Sequence, residues 1–177
     1  MALQLANLDQ PTRRYMLDEL DRDLSEGRLY LSPRLTSDGH QVWPALVREA
    51  IRGGSDSSLA ARLRSEELMN ATEERRAPKG GITVARVPEN APDTLAEGEF
   101  NRFYVRGLCR RAIDAGVTEL EIYRAKEVVR PRPESEVKIG GRVDPQQLLQ
   151  DLRTSQGVEP ALGLPPGPNS GLSVRLP

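Results

Sequence analysis

The residues with the clearest spacing for chemistry are Arg102, Arg106 and Arg110, set four apart and followed by Arg111. On a helix, positions i and i+4 share a face, so these guanidiniums would form one basic stripe able to grip phosphates or an acidic partner. Local pairing offers a plainer account, since Glu99 lies three residues before Arg102 and Asp114 four after Arg110. A second cationic group, Arg124, Lys126, Arg130 and Arg132, follows shortly after. Beside the first it would make a local basic surface. Glu119, Glu121, Glu127, Glu134 and Glu136 are interleaved with it and dilute its field.

The triplet Glu136-Val137-Lys138 places a carboxylate and an ammonium two residues apart. On a strand both would lie on one face, the arrangement used around a catalytic divalent cation, with Asp114, Glu119 or Glu121 as the further acid. Pro131 and Pro133 just before it count against a central strand. His40, after Asp38-Gly39, has no nucleophile whose pairing the sequence supports, and reads as a capping or surface histidine. Cys109 falls among core positions of the arginine-bearing helix and is expected to be a buried, inert thiol.

Composition narrows the chemistry. One Cys and one His in 177 residues leave no ligand set for structural zinc or an iron–sulfur cluster. There is no Gly-rich phosphate loop and no calcium-loop spacing, so no cofactor and no metal are expected. With 25 basic against 26 acidic residues, indiscriminate coating of nucleic acid is excluded, though a short basic face is not. No apolar run approaches the ~18 residues of a membrane span, and the N-terminus lacks the pattern of a secretory signal. The expected location is cytoplasmic, or within a particle assembled in the cytosol.

The elements that must position these residues are legible from periodicity. A helix is predicted over 11–26, with Pro11 in its first turn, Met16, Leu20 and Leu24 inward, and Gly27 as its stop. A second covers 42–52, with Val42, Leu46, Val47, Ala50 and Ile51 as its stripe and Trp43 beside it. Pro44 must then lie in its first turn or kink it. Ser55 or Asp56 caps a third, reaching Met69. Residues 70–80 read as charged and unpatterned, and Ile82 to Val87 as a strand.

The longest helix, 94–115, opens on a Thr94/Glu97 capping box and carries Phe100, Phe103, Tyr104, Leu108, Ala112 and Ile113. Leu120 and Ile122 alternate with Glu119, Glu121 and Tyr123 as in a half-buried strand, and Glu136 to Ile139 suits a further short one. Asp144-Pro145 starts a last helix through Leu148, Leu149 and Leu152.

The chain therefore reads as α+β: a helical part over 1–70, a small sheet packed on one long central helix over 71–157, and an extended Pro/Gly-rich arm over 158–177. That arm holds five prolines yet repeats Leu162, Leu164, Leu172, Val174 and Leu176, more apolar side chains than a solvated linker needs. The leading expectation is a non-enzymatic binding or assembly protein, self-associating or joining a protein partner through the basic helix face and the arm residues Leu164, Leu172 and Val174. A subunit of a larger particle, of phage or mobile-element type, is one such setting. The alternatives are nucleic-acid binding through Arg102, Arg106 and Arg110 with Arg124 and Arg132, and a metal-dependent nuclease using Glu136 and Lys138.

Overall fold

The computed structural model describes residues 2–78, 80–131, 133–155 and 171–177. Helix α1 (Gln10–Ser25) starts where Asp9 accepts the Thr12 amide, and Gly27 beyond its end takes the left-handed conformation that lets the chain turn away. Helix α2 (Ser37–Gly53) begins five residues before its expected start, because Thr36 accepts the Gly39 amide at 3.0 Å and caps it there. Pro44 consequently lies inside the helix, and Trp43 is fully buried while Val42 is exposed. Gly39 is required by packing: a Cβ there would sit 2.6 Å from the Leu68 carbonyl oxygen.

Helix α3 (Asp56–Ser65) is closed at its start by a reciprocal Ser55/Ser58 capping box. It ends at Ser65, short of Met69, and Glu67 just beyond takes the left-handed region, so that Met69 can bridge to Leu35. The charged stretch that follows, read from sequence as unpatterned, contains a strand: β1 (Thr72–Arg76) pairs antiparallel with β2 (Ile82–Arg86) as a separate two-stranded sheet.

Helix α4 (Ala91–Asp114) starts ahead of the expected Thr94/Glu97 box, with Pro92 in its first turn and no side-chain cap. It is the axis of the fold. Phe100, Phe103, Tyr104, Leu108, Cys109 and Ala112 are buried almost completely, in one continuous core with Met16 and Leu20 of α1, Trp43 and Ile51 of α2 and Leu59 and Leu63 of α3. Gly107 permits the closest approach, since a Cβ there would stand 2.8 Å from the Met16 backbone nitrogen.

The second sheet is antiparallel throughout, in the order β4 (Arg142–Val143), β3 (Leu120–Arg124), β5 (Leu172–Arg175). Leu120 and Ile122 face the core as their alternation predicts. Segment 133–136 folds as a single helical turn, α5 (Pro133–Glu136), and not as a lead into a strand. Helix α6 (Pro145–Thr154) has the expected Asp144 cap, accepting the amides of Gln146 and Gln147. Strand β5 changes the reading of the C-terminal arm: its final residues return to the body, with Leu172 and Val174 buried beside β3. Tyr104 donates to the Val174 carbonyl and Asn101 to that of Leu172, so α4 fixes β5 directly.

Candidate functional site

The predicted arginine stripe does lie along one side of α4, but that side faces inward. Arg106 is fully buried, Arg102 nearly so, and Arg110 half-buried. The partners of Arg106 and Arg110 come from α1, where Glu19 and Asp23 sit one turn apart within the apolar stripe of Met16 and Leu20. Arg106 donates from Nε to Glu19 at 2.9 Å and from Nη1 and Nη2 to the two Asp23 carboxylate oxygens at 2.7 and 2.8 Å. Glu19 also accepts from Arg110 at 3.3 Å and from Arg153 of α6 at 2.5 and 3.0 Å. The Arg106 guanidinium lies 5.2 Å from the centre of the Phe103 ring, which stabilises the cation further.

This geometry explains the ionisation of the cluster. Burial alone would raise the Glu19 carboxyl, but the Arg153 hydrogen bonds and the Arg106 charge hold it below its usual range. Burial alone would depress Arg106, yet its bonds to Asp23 and the charge of Glu19 leave it raised. The cluster acts as a three-helix clamp of α1, α4 and α6. The expectation of an accessible basic stripe is corrected accordingly, and the local pairing only partly holds. Glu99 lies 3.8 Å from Arg102, whereas Asp114 accepts from Tyr15 and not from Arg110.

Below the clamp, Glu99 and Arg102 form a weaker pair. Arg102 donates to the Leu152 carbonyl at 3.0 Å, which ties the end of α6 to α4. Glu99 Oε2 and Arg102 Nε and Nη1 are buried without a hydrogen-bond partner. Burial pushes the Glu99 carboxyl up to about 7, with the Arg102 charge pulling the other way. The same burial lowers Arg102.

The second cationic group does not join this centre as a free surface. Arg124 pairs with Glu136, Lys126 pairs with Glu97 of α4, and Arg130 is exposed. Arg132 and Leu164 lie outside the described residues. Leu172 and Val174, expected to meet a partner, are instead covered by the chain's own core. Glu136 ends a helical turn and Lys138 follows in a turn, so the alternation that would align them on a strand is absent. Of the acids expected to join them, Asp114 is bonded to Tyr15 and Glu121 to Arg175. His40 is in α2, its Nε2 2.8 Å from the Ser32 carbonyl oxygen. Cys109 is buried and its thiol is pushed up by that burial, as expected of an inert position.

The exposed feature that sequence reasoning only half found is the β1–β2 hairpin: the strand from Ile82 was expected, its partner β1 was not. Its register puts Thr72 opposite Arg86, Glu74 opposite Val84 and Arg76 opposite Ile82, and cross-strand partners share a face. All six side chains are exposed, Ile82 at 71% and Val84 at 70%. On the opposite face Glu73 accepts from Arg34 at 2.5 and 3.1 Å, which ties the hairpin base to the body. Here the Arg34 and Arg75 hydrogen bonds hold the Glu73 carboxyl below its usual range. The available signal was the β-branched run Ile82-Thr83-Val84 behind a Gly-Gly turn, with the charged segment before it as its partner. Comparisons with protein families, characterised proteins and solved structures gave no significant match.

Proposed function

We propose that this chain is a non-enzymatic binding or assembly protein whose docking element is the β1–β2 hairpin. One observation carries the reading: a two-stranded sheet, paired with no third strand among the described residues, holds Ile82 and Val84 largely in solvent. A lone hairpin of this kind is marginal in water, and a partner on the exposed face would supply the missing burial. The buried arginine clamp supports the same division of labour. It joins α1, α4 and α6 into a stiff body from which the hairpin projects, and leaves recognition to the hairpin itself.

Residues 72–86 can be excised with little disturbance, because the Val87 amide donates to the Ala71 carbonyl at 3.0 Å. A two-glycine link between Ala71 and Val87 should keep the helical signal and the melting temperature near their original values. Self-association, followed by light scattering across concentration, and nucleic-acid binding, followed by fluorescence anisotropy, should both be reduced to background. Association by the shortened protein equal to that of the full chain would overturn the proposal.

A further inference from the structure

Resting on the docking role of the hairpin, we infer that its partner is the phosphate backbone of a nucleic-acid duplex. From Arg75 to Arg86 the sequence carries Arg75, Arg76, Lys79 and Arg86 and no acidic residue. The whole hairpin, Thr72 to Arg86, adds Glu73 and Glu74 and carries a net +2, leaving 21 basic residues against 24 acidic ones elsewhere. The near-neutral whole is thus an acidic body bearing a basic ribbon. Arg75 is engaged by Glu73, whereas Arg76 and Arg86 have no ion-pair partner among the described residues.

The ribbon has dimensions that suit a duplex. Arg76 and Arg86 stand on opposite strands but on the same face, at cross-strand pairs four residues apart. At about 3.4 Å per residue that separates their origins by roughly 14 Å along the ribbon. The B-form major groove is about 12 Å wide and admits a two-stranded ribbon along it, so Arg76 and Arg86, being on opposite strands, face phosphates on opposite walls. Val84 between them and Ile82 opposite Arg76 are compact enough to enter the groove against base edges and thymine methyl groups.

Competing occupants fit less well. A stable protein interface buries about 1,200–2,000 Å² in total, and two β-branched side chains on a five-residue ribbon offer little of the apolar centre this needs. Binding to a polyanion depends instead on the number of cations that displace counterions. The hairpin has no aromatic residue on which an unpaired base could stack, which favours a duplex over a single strand. Glu74, the acid on the basic face, opposes phosphate and limits affinity.

The test is fluorescence anisotropy of the full chain with a labelled 20-base-pair DNA duplex and with one of its strands, at 20–200 mM NaCl. Two phosphates neutralised, by Arg76 and Arg86, give a log–log salt slope of about −1.8 and a loss of roughly twelvefold between 50 and 200 mM. Duplex should bind more tightly than single strand. R76E/R86E, two exposed changes, should weaken binding at least tenfold with an unchanged circular dichroism spectrum, and E74Q should tighten it. No duplex binding at 20 mM NaCl, or binding unaffected by R76E/R86E, overturns the inference. If I82S/V84S abolishes concentration-dependent self-association while duplex binding is absent, the docking role survives and this partner does not. Loss of neither property on removing the hairpin would sink both.

Discussion

Arg106→Met tests the clamp directly. The substitution keeps an unbranched side chain of similar reach in the core but removes the guanidinium that bonds to both Asp23 oxygens and to Glu19. Glu19 retains Arg110 and Arg153, so the main damage falls on Asp23, left buried without these two hydrogen bonds. Breaking a buried ion pair by removing one partner costs about 3–5 kcal/mol. At about 2–4 °C per kcal/mol for a chain of this length, the melting temperature should drop by roughly 6–20 °C. Urea unfolding followed by far-ultraviolet circular dichroism gives the free energy, and a thermal scan gives the midpoint. Arg110→Met is the control: its side chain is one-third exposed, and its loss should cost about 1 kcal/mol or less. Adding Asp23→Leu to Arg106→Met removes the stranded carboxylate and should restore part of the deficit. If Arg106→Met destabilised by less than about 1 kcal/mol, or no more than Arg110→Met, the buried clamp would not exist as described.

The Glu99 carboxyl, raised to about 7 in the fold, binds its proton more tightly there than in the unfolded chain. Its contribution to stability is therefore complete below about pH 4.5 and is lost as pH rises through 7, a decline of about 2–4 kcal/mol. Glu99→Gln should remove that decline, seen as a stability difference from the parent protein that grows between pH 5 and pH 8. A constant difference would show that the carboxyl does not titrate in this range. Leu172→Ala should cost about 2–4 kcal/mol by urea unfolding, because the side chain is buried in the chain's own core; a neutral effect would mean β5 is not docked. Cys109 should resist a thiol reagent in the native protein and react at once in denaturant. Equal labelling rates in the two states would contradict its burial.

The periodic elements were legible because burial repeats at fixed intervals. Met16, Leu20 and Leu24 marked α1, Phe100 to Leu108 marked α4, and Leu120 with Ile122 marked β3. What misled was charge. Arginines four apart suggest a wet face only if nothing acidic comes to meet them, and here Glu19 and Asp23 do, from 83 or more residues away in sequence. Their place in the apolar stripe of α1 was the clue: acids at inward positions call for buried cations, and α4 carries cations at its own inward positions. The hairpin was half hidden for the converse reason. Strand β1, Thr-Glu-Glu-Arg-Arg, has no apolar period, and its pairing to β2 rests on backbone hydrogen bonds. Leucine-bearing β5 resembled a free arm because its partner, β3, lies about 50 residues earlier.

The position of β5 also sets an order of events during synthesis. Strand β3 is the middle strand of its sheet, yet one of its two neighbours is made only when the ribosome has reached residue 175. Until then the Tyr104 hydroxyl and the Asn101 side-chain amide of α4 lack the carbonyls of Val174 and Leu172 that they bond in the finished protein. The nascent chain can assemble the helices around α4 early, from short-range contacts, but the sheet must wait. Its closure is a late, long-range step that carries a larger loop-closure cost than the helices preceding it.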